Sequence, residues 1–338
     1  MSDYIHNQPS LGIAGSQVTR DAKRLGRLPK LPTTRAELAA FIKRYFGLCV
    51  PDVRTCPHHH TPMDYLVASV FEQRDLLVWA NRGGGKTFLA AVATMLDALM
   101  RAPIDIRVLG GSFDQSDRLG DYIRELLALQ PRLQAGANRQ NRVSLVGGSE
   151  IVMLPQSQRA VRGQHVQRIR CDEVDLFDAD VWQAVQFATR SRGDSRGSIE
   201  VLSTLHRTGG LMDDLVTRTR EGETGYDLVQ WCLWEVIERC PADRACVACP
   251  LAEDCISAAE ASELAVEPGC GIAKCGEGFF RIDDAIAIKA RSSETAWRAE
   301  MLCERHVSEW AVFPEFDLSQ HVKVVEPQRD WPSYRAID

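Results

Sequence analysis

A chain of 338 residues can bury one large core or two modest ones, and 45% hydrophobic with 25% charged residues is the composition of an ordinary globular protein. A formal net charge of −6 argues against a generic basic coat for nucleic acid, while a local basic track stays compatible with it. Residues 1–10 are polar and the apolar run 88–100 is short and broken by Asp97, so neither a secretory signal nor a membrane span is expected; eleven cysteines then point to a reducing compartment, where clusters hold metal more often than disulfides.

Residues 1–32 carry Gly, Ser, Pro and scattered basic side chains without a lasting apolar period, and read as a flexible arm. Thr34-Arg35-Ala36-Glu37 has the form of a capping box, opening a helix that places Leu38, Phe41, Ile42 and Tyr45 on one face. The stretch Cys56-Pro57-His58-His59-His60-Thr61-Pro62 invites a metal reading. Three adjacent histidines converge poorly on one ion and the prolines mark an extended loop, so the expectation is a solvated loop, or one that flanks an adenine together with Tyr65.

Next comes an apolar strand, Leu76 to Trp79, running into Ala80-Asn81-Arg82-Gly83-Gly84-Gly85-Lys86-Thr87 and then into the helix-forming run that starts at Phe88. Strand, glycine loop and helix start, in that order, are what polyphosphate binding needs. Backbone amides free of Cβ atoms wrap the phosphates and the helix adds its open donors and positive end. Lys86 reaches the outer phosphates, and the Thr87 hydroxyl ligates Mg²⁺. Ala80 stands where the P-loop pattern usually has its first glycine. A second strand, Val166 to Cys171, ends in Asp172 and Glu173. Asp172 is expected in the magnesium shell and Glu173 as the base that polarises the attacking water, since alternation along a strand turns neighbouring acids to different tasks.

Ile104–Leu109 reads as a strand, 114–129 as a helix, and Val143–Val146 with Ile151–Leu154 as an edge hairpin. Strands alternating with helices define an α/β class: a P-loop NTPase with a mainly parallel central sheet, helices on both faces and a Cys-rich insertion. Ligands in such sheets gather at the carboxyl ends of strands, where the glycine loop and the acids both fall. Arg162, ahead of Gly163, can project a guanidinium onto a γ-phosphate, as can Arg159. Ile199 to Leu205 is a further strand, ending in the hydroxyls of Ser203 and Thr204, either a γ-phosphate sensor or plain strand-end caps.

Cys240, Cys246, Cys249 and Cys255 are separated by five, two and five residues, with Cys270 and Cys275 beyond. A two-residue gap lets both thiolates face one ion. Zn²⁺ is the first choice, an Fe–S cluster and metal-free cysteines are the alternatives. Between Cys240 and Phe280 seven acids face two bases, so the segment repels phosphate and reads as a structural knuckle rather than a DNA-reading finger. Beyond it, 285–290 and 294–303 are expected to be helical, with Ser292 or Ser293 capping the second and Trp297, Met301 and Leu302 docking on the core.

Taken together, the arginine inside the glycine loop (Arg82), Arg162-Gly163 ahead of Cys171-Asp172-Glu173, and Ser203-Thr204-Leu205 resemble the ATPase domain of the large terminase subunit of tailed bacteriophages. The resemblance covers roughly residues 50–235 and departs from the family's pattern at Leu205, where a proline is usual. It implies that Arg82 reaches the phosphates, that Arg162 is an arginine finger offered to a neighbouring subunit, and that Ser203 and Thr204 form the coupling motif. It further implies an ATP-hydrolysing motor moving double-stranded DNA into a procapsid in the host cytoplasm. That motor would act as a homo-oligomeric ring on the portal protein, with the small terminase subunit as partner. Residues 334–338 resemble the first strand of the family's RNase H-like nuclease, ending at a metal-binding acid, Asp338; one acid cannot build a two-metal site, so no nuclease activity is expected of these 338 residues. The expected division is therefore an arm (1–32), an ATPase core (33–239), the Cys-rich insertion (240–281), a helical segment and linker (282–330) and a nuclease-strand remnant (331–338). A helicase or remodelling ATPase, or a non-hydrolysing module that binds nucleotide or a partner, are the competing expectations.

Overall fold

The computed structural model describes residues 30–305 apart from 136–138, 140 and 206–208, with the side chains of 113–115 also left aside. Most of the expected arm, the linker after 305 and the strand at 331–338 with Asp338 lie outside the described residues.

Helix α1 (Arg35–Phe46) buries Leu38, Phe41, Ile42 and Phe46, with Tyr45 half-buried, and ends at Gly47 with φ 71°. Its cap differs from the expected box. The Thr34 hydroxyl accepts from Glu37 N, but the Glu37 carboxylate accepts from Thr33 N at 2.9 Å and Thr33 Oγ1 at 2.8 Å, one residue early. Helix α2 (Pro62–Val67) does carry a full capping box, from Thr61 and Asp64.

Seven strands follow: β1 (Leu76–Ala80), β2 (Asp105–Gly110), β3 (Arg142–Ser144), β4 (Glu150–Leu154), β5 (Arg168–Asp172), β6 (Ser198–Ser203) and β7 (Asp227–Trp231), in the spatial order β3-β4-β2-β5-β6-β1-β7. Every pairing is parallel except the β3–β4 hairpin at the edge. Central strands of a parallel sheet are covered on both faces, which is why Leu76 to Ala80 is an unbroken apolar run rather than an alternating one. Side-chain alternation splits it: Leu76, Val78 and Ala80 enter one core with α3 (Lys86–Met100) and α4 (Phe113–Leu129), and Leu77 and Trp79 enter the other. After the four-residue α5 (Gln158–Val161), helices α6 (Ala179–Val185) and α7 (Leu211–Arg220) cover that second face. Register brings Trp79 beside Ser203, Leu202 beside Asp172, and Asp172 beside Gly110. The strand with Ser203 therefore lies between the glycine-loop strand and the acid-bearing strand, and all three end together.

The same alternation drives charges into the sheet. Arg168 and Arg170 of β5 and Glu200 of β6 are fully buried on the face covered by α3, whose Asp97 is also fully buried. Arg170 donates to Asp97 Oδ2 at 2.6 Å, to Glu200 Oε1 and Oε2 at 2.9 and 3.0 Å, and to Ser69 Oγ at 3.0 Å. Arg168 Nε donates to Asp97 Oδ2 at 3.0 Å, and Tyr65 OH to Glu200 Oε2 at 2.8 Å.

After β7 come α8 (Leu233–Val236), α9 (Ala252–Ala261), α10 (Ile282–Arg291) and α11 (Glu294–Met301), the last capped by Ser293 accepting from Ala296 N. Trp297, Met301 and Leu302 are buried in the second core, as expected. Among the described residues no helix is long and apolar enough to cross a membrane.

Candidate nucleotide-binding site

The loop between β1 and α3 is shaped by residues that tolerate no Cβ. Gly83 and Gly85 have φ of 74° and 81°, in the left-handed region, and a Cβ on Gly84 would run into the Asn81 side chain. Gly84 N donates to Asn81 O at 3.0 Å, and Trp231 Nε1 at the end of β7 donates to Gly84 O at 3.0 Å. Arg82 N donates to Glu300 O at 2.7 Å, so α11 braces the loop from the other side. Ala80 is a strand residue paired with Trp231 and fully buried, which explains why a side chain is accepted where the pattern has glycine. Gly85 caps α3 and, having no side chain, offers no acceptor to the amides of the first helical turn, the donors that a helix start presents to an anion.

The acids arrive opposite these amides. Thr87 Oγ1 donates to Asp172 Oδ2 at 2.7 Å, and Lys86 Nζ lies 3.0 Å from Glu173 Oε1. Among the described residues Asp172 Oδ1 is buried without a hydrogen-bond partner. Burial lifts the Asp172 carboxyl to about 6, with Lys86 pulling it down and Glu173 pushing it up. A buried carboxylate oxygen with nothing to bind, next to a hydroxyl and an ammonium, is a donor set that fits a Mg²⁺-bound phosphate. Glu173 leaves the strand: its φ is 56°, a left-handed conformation that costs a non-glycine residue about 1 kcal/mol or more. Strand alternation does not separate the two acids, contrary to expectation; the left-handed Glu173 does, turning its carboxylate onto Lys86 and within 3.5 Å of Ser203 Oγ.

Other expected residues are placed as follows. Arg82 projects into solvent, 74% exposed, with NH1 3.9 Å from Glu300 Oε2. Arg159 and Arg162 are both exposed; Gly163 after Arg162 has φ 82°. Ser203 and Thr204 are buried at the end of β6. Tyr65 does not flank an adenine: it is fully buried, bonded to Glu200, and part of the core under the sheet. The loop before it is not merely solvated either, because the His59 side chain is only 13% exposed and its Nδ1 lies 3.1 Å from Glu235 Oε2.

Sequence reasoning missed two features. Phe279 and Phe280, at the end of the Cys-rich insertion, lie against Gly85 and Gly83, so that a Cβ on either glycine would meet a phenyl ring at about 3 Å. The insertion thus contacts the glycine loop itself, a relation between residues nearly two hundred positions apart that leaves no local pattern. The buried Arg168–Arg170–Glu200–Asp97 network is the other. In the insertion, Cys240, Cys246, Cys249 and Cys255 line one small cavity with Lys274, whose Nζ donates to Arg244 O at 3.0 Å. Ala273 N donates to Cys255 Sγ at 3.4 Å, and burial pushes the Cys255 thiol up to about 11.

A glycine loop between a parallel strand and a helix, facing two acids at the end of another strand of the same sheet, defines a P-loop NTPase fold. No protein-family model matches the sequence, and no curated protein does. Among solved structures, the large terminase of bacteriophage HK97 shares the fold with a TM-score of 0.51 at 16% identity, over 81% of this chain and 56% of that one. The large terminase of a thermophilic bacteriophage matches with a TM-score of 0.40 at 11% identity, over 49% of this chain and 44% of that one. The ATPase domain of the Thermus phage P74-26 large terminase matches with a TM-score of 0.38 at 12% identity, over 69% and 88%. The chain spans about half the length of the first two of these proteins.

Proposed function

We propose that this chain is the ATPase part of a tailed-bacteriophage large terminase subunit, a motor that couples ATP hydrolysis to movement of double-stranded DNA into a procapsid. The observation that carries the reading is the meeting of the two loops: Lys86 on Glu173 at 3.0 Å and Thr87 on Asp172 at 2.7 Å. The likeness to the HK97 terminase fold supports it.

In this reading the loop amides from Asn81 to Thr87 hold the phosphates and Lys86 moves from Glu173 to the outer phosphate oxygens. Thr87 and Asp172 would hold Mg²⁺, which when bound neutralises charge on the phosphates. Glu173, released from Lys86, accepts the proton of the attacking water, and its position is shared with Ser203, so a strand end senses whether the base is engaged. Arg82 and Arg162 offset charge in the transition state, Arg162 from a neighbouring subunit of a homo-oligomeric ring. Ser203 and Thr204 form the coupling segment. The core is taken as 33–239, the insertion as 240–281 and the helical segment with its linker as 282–330. Cys240, Cys246, Cys249 and Cys255 are proposed to hold a structural Zn²⁺, favoured over an Fe–S cluster; the two-residue gap between Cys246 and Cys249 and the small cavity that all four line support this. Portal protein and small terminase subunit are the proposed partners, at a procapsid in the host cytoplasm.

Steady-state hydrolysis measured with and without linear duplex DNA tests this. Turnover should rise several-fold with duplex, and no strand displacement should accompany it. Hydrolysis with unwinding would mark a helicase instead, and no hydrolysis at high protein concentration would leave a nucleotide-binding module.

A further inference from the structure

A second group of metal-ligating side chains lies outside the insertion, behind the glycine loop. Cys56 and His59 come from the loop before α2; Cys232 and Glu235 come from the N-cap and first turn of α8. Their ligand atoms all lie within 4.8 Å of one another. Cys56 Sγ and Cys232 Sγ are 3.8 Å apart, and His59 Nδ1 and Glu235 Oε2 are 3.1 Å apart. A tetrahedral ion with bonds of ~2.3 Å to sulfur and ~2.0 Å to nitrogen or oxygen needs separations of about 3.8 Å between sulfurs and about 3.3 Å between nitrogen and oxygen.

The surroundings suit such an ion. Cys232 and Glu235 are buried, and Cys56 and His59 are half-buried, which encloses the centre. Trp234 N donates to Cys232 Sγ at 3.4 Å, while Cys56 N, Cys232 N and Thr55 Oγ1 donate to the Glu235 carboxylate at 2.8, 2.8 and 2.6 Å, orienting the donors as supporting partners of a metal ligand do. Both halves have the same spacing, Cys-x-x-His and Cys-x-x-Glu, in which two intervening residues bring both donors to one point.

We propose that Cys56, His59, Cys232 and Glu235 bind one structural Zn²⁺. The site clasps the loop before α2 to the end of β7. Its neighbour Trp231 holds Gly84 O through Nε1, while Trp231 O accepts from Asn81 N at 3.3 Å and from Cys303 Sγ at 3.1 Å. The clasp therefore stiffens the strand end on which the glycine loop rests. The competing account is a metal-free hydrogen-bonded cluster in which His59 Nδ1 donates to Glu235.

Zinc per chain, measured by mass spectrometry on full-length protein made in zinc-supplemented medium and desalted, decides between them. Cys56→Ser/His59→Gln should hold one equivalent less than the parent. Equal content in the two overturns the proposal, as does a zinc-free parent. Should that variant fail to fold, Cys246→Ser/Cys249→Ser supplies the complementary reading. It should keep one equivalent, and its cobalt form should show thiolate-to-cobalt absorption from two sulfurs; absence of bound metal in this variant also overturns the site.

Discussion

Arg162→Ala is expected to lower ATP turnover by ~10³-fold or more while leaving Mg²⁺–ATP affinity near that of the parent, as removal of an arginine finger does. The side chain is exposed, sits at the end of the short α5, and is followed by Gly163 with φ 82° and open space where a Cβ would stand. An exposed guanidinium there is within reach of a neighbouring subunit, as the proposed ring requires. Arg162→Ala subunits mixed with Glu173→Gln subunits should then regain turnover, because each supplies what the other lacks. Turnover of Arg162→Ala at the parent rate would remove the assignment, and loss in Arg159→Ala with Arg162→Ala unaffected would move it to the neighbouring arginine.

Arg170→Ala is expected to lower unfolding free energy by about 3–5 kcal/mol, the cost of leaving a buried charge without its partner. Against the ~5–15 kcal/mol that holds a typical domain together, this is a large fraction. Arg170 is the centre of a buried charge set: without it, among the described residues, Glu200 keeps the Tyr65 and Ser69 hydroxyls, whereas Asp97 keeps Arg168 and Arg101. The uncompensated charge is therefore on Glu200. Replacing both partners, Arg170→Met with Glu200→Gln, should recover more than half of the loss, since the penalty comes from the widowed carboxylate and not from the lost bonds. Urea unfolding of the three proteins checks this; a loss below ~1 kcal/mol for Arg170→Ala would mean that water reaches the network. The network ties β5, which carries the acids, to α3, which carries Lys86 and Thr87. Its loss is expected to disturb the site as well as the fold.

What is legible in the sequence is what it keeps local. The glycine loop, the acids at the end of β5 and the hairpin at the sheet edge are each written within a dozen residues; each lies in the structure near where its pattern puts it, with the first hairpin strand ending at Ser144 rather than Val146. What escapes depends on distant partners. Tyr65 looks like an aromatic near a nucleotide; only the pairing of β1 with β6 shows that Glu200 lies beside it in the core. The histidine run looks solvated when three neighbours are weighed as a set, whereas His59 alone turns onto Glu235, 176 positions away. Arg168 and Arg170 read as strand residues, and nothing in their own segment says that Asp97 and Glu200 wait on the same face. The separation of Asp172 from Glu173 has a different origin from the one alternation suggests: it comes from a left-handed backbone at Glu173, a strain that sequence does not display.

One Mg²⁺-bound triphosphate is proposed to sit between the loop after β1 and the acids at the end of β5. Calorimetric titration of ATP with Mg²⁺ into the parent, Glu173→Gln and Lys86→Ala, alongside their turnover, tests it most directly. Glu173→Gln is expected to bind like the parent and to hydrolyse at least ~10²-fold more slowly, and Lys86→Ala to lose binding. Undiminished binding by Lys86→Ala, or parent-rate hydrolysis by Glu173→Gln, would contradict it.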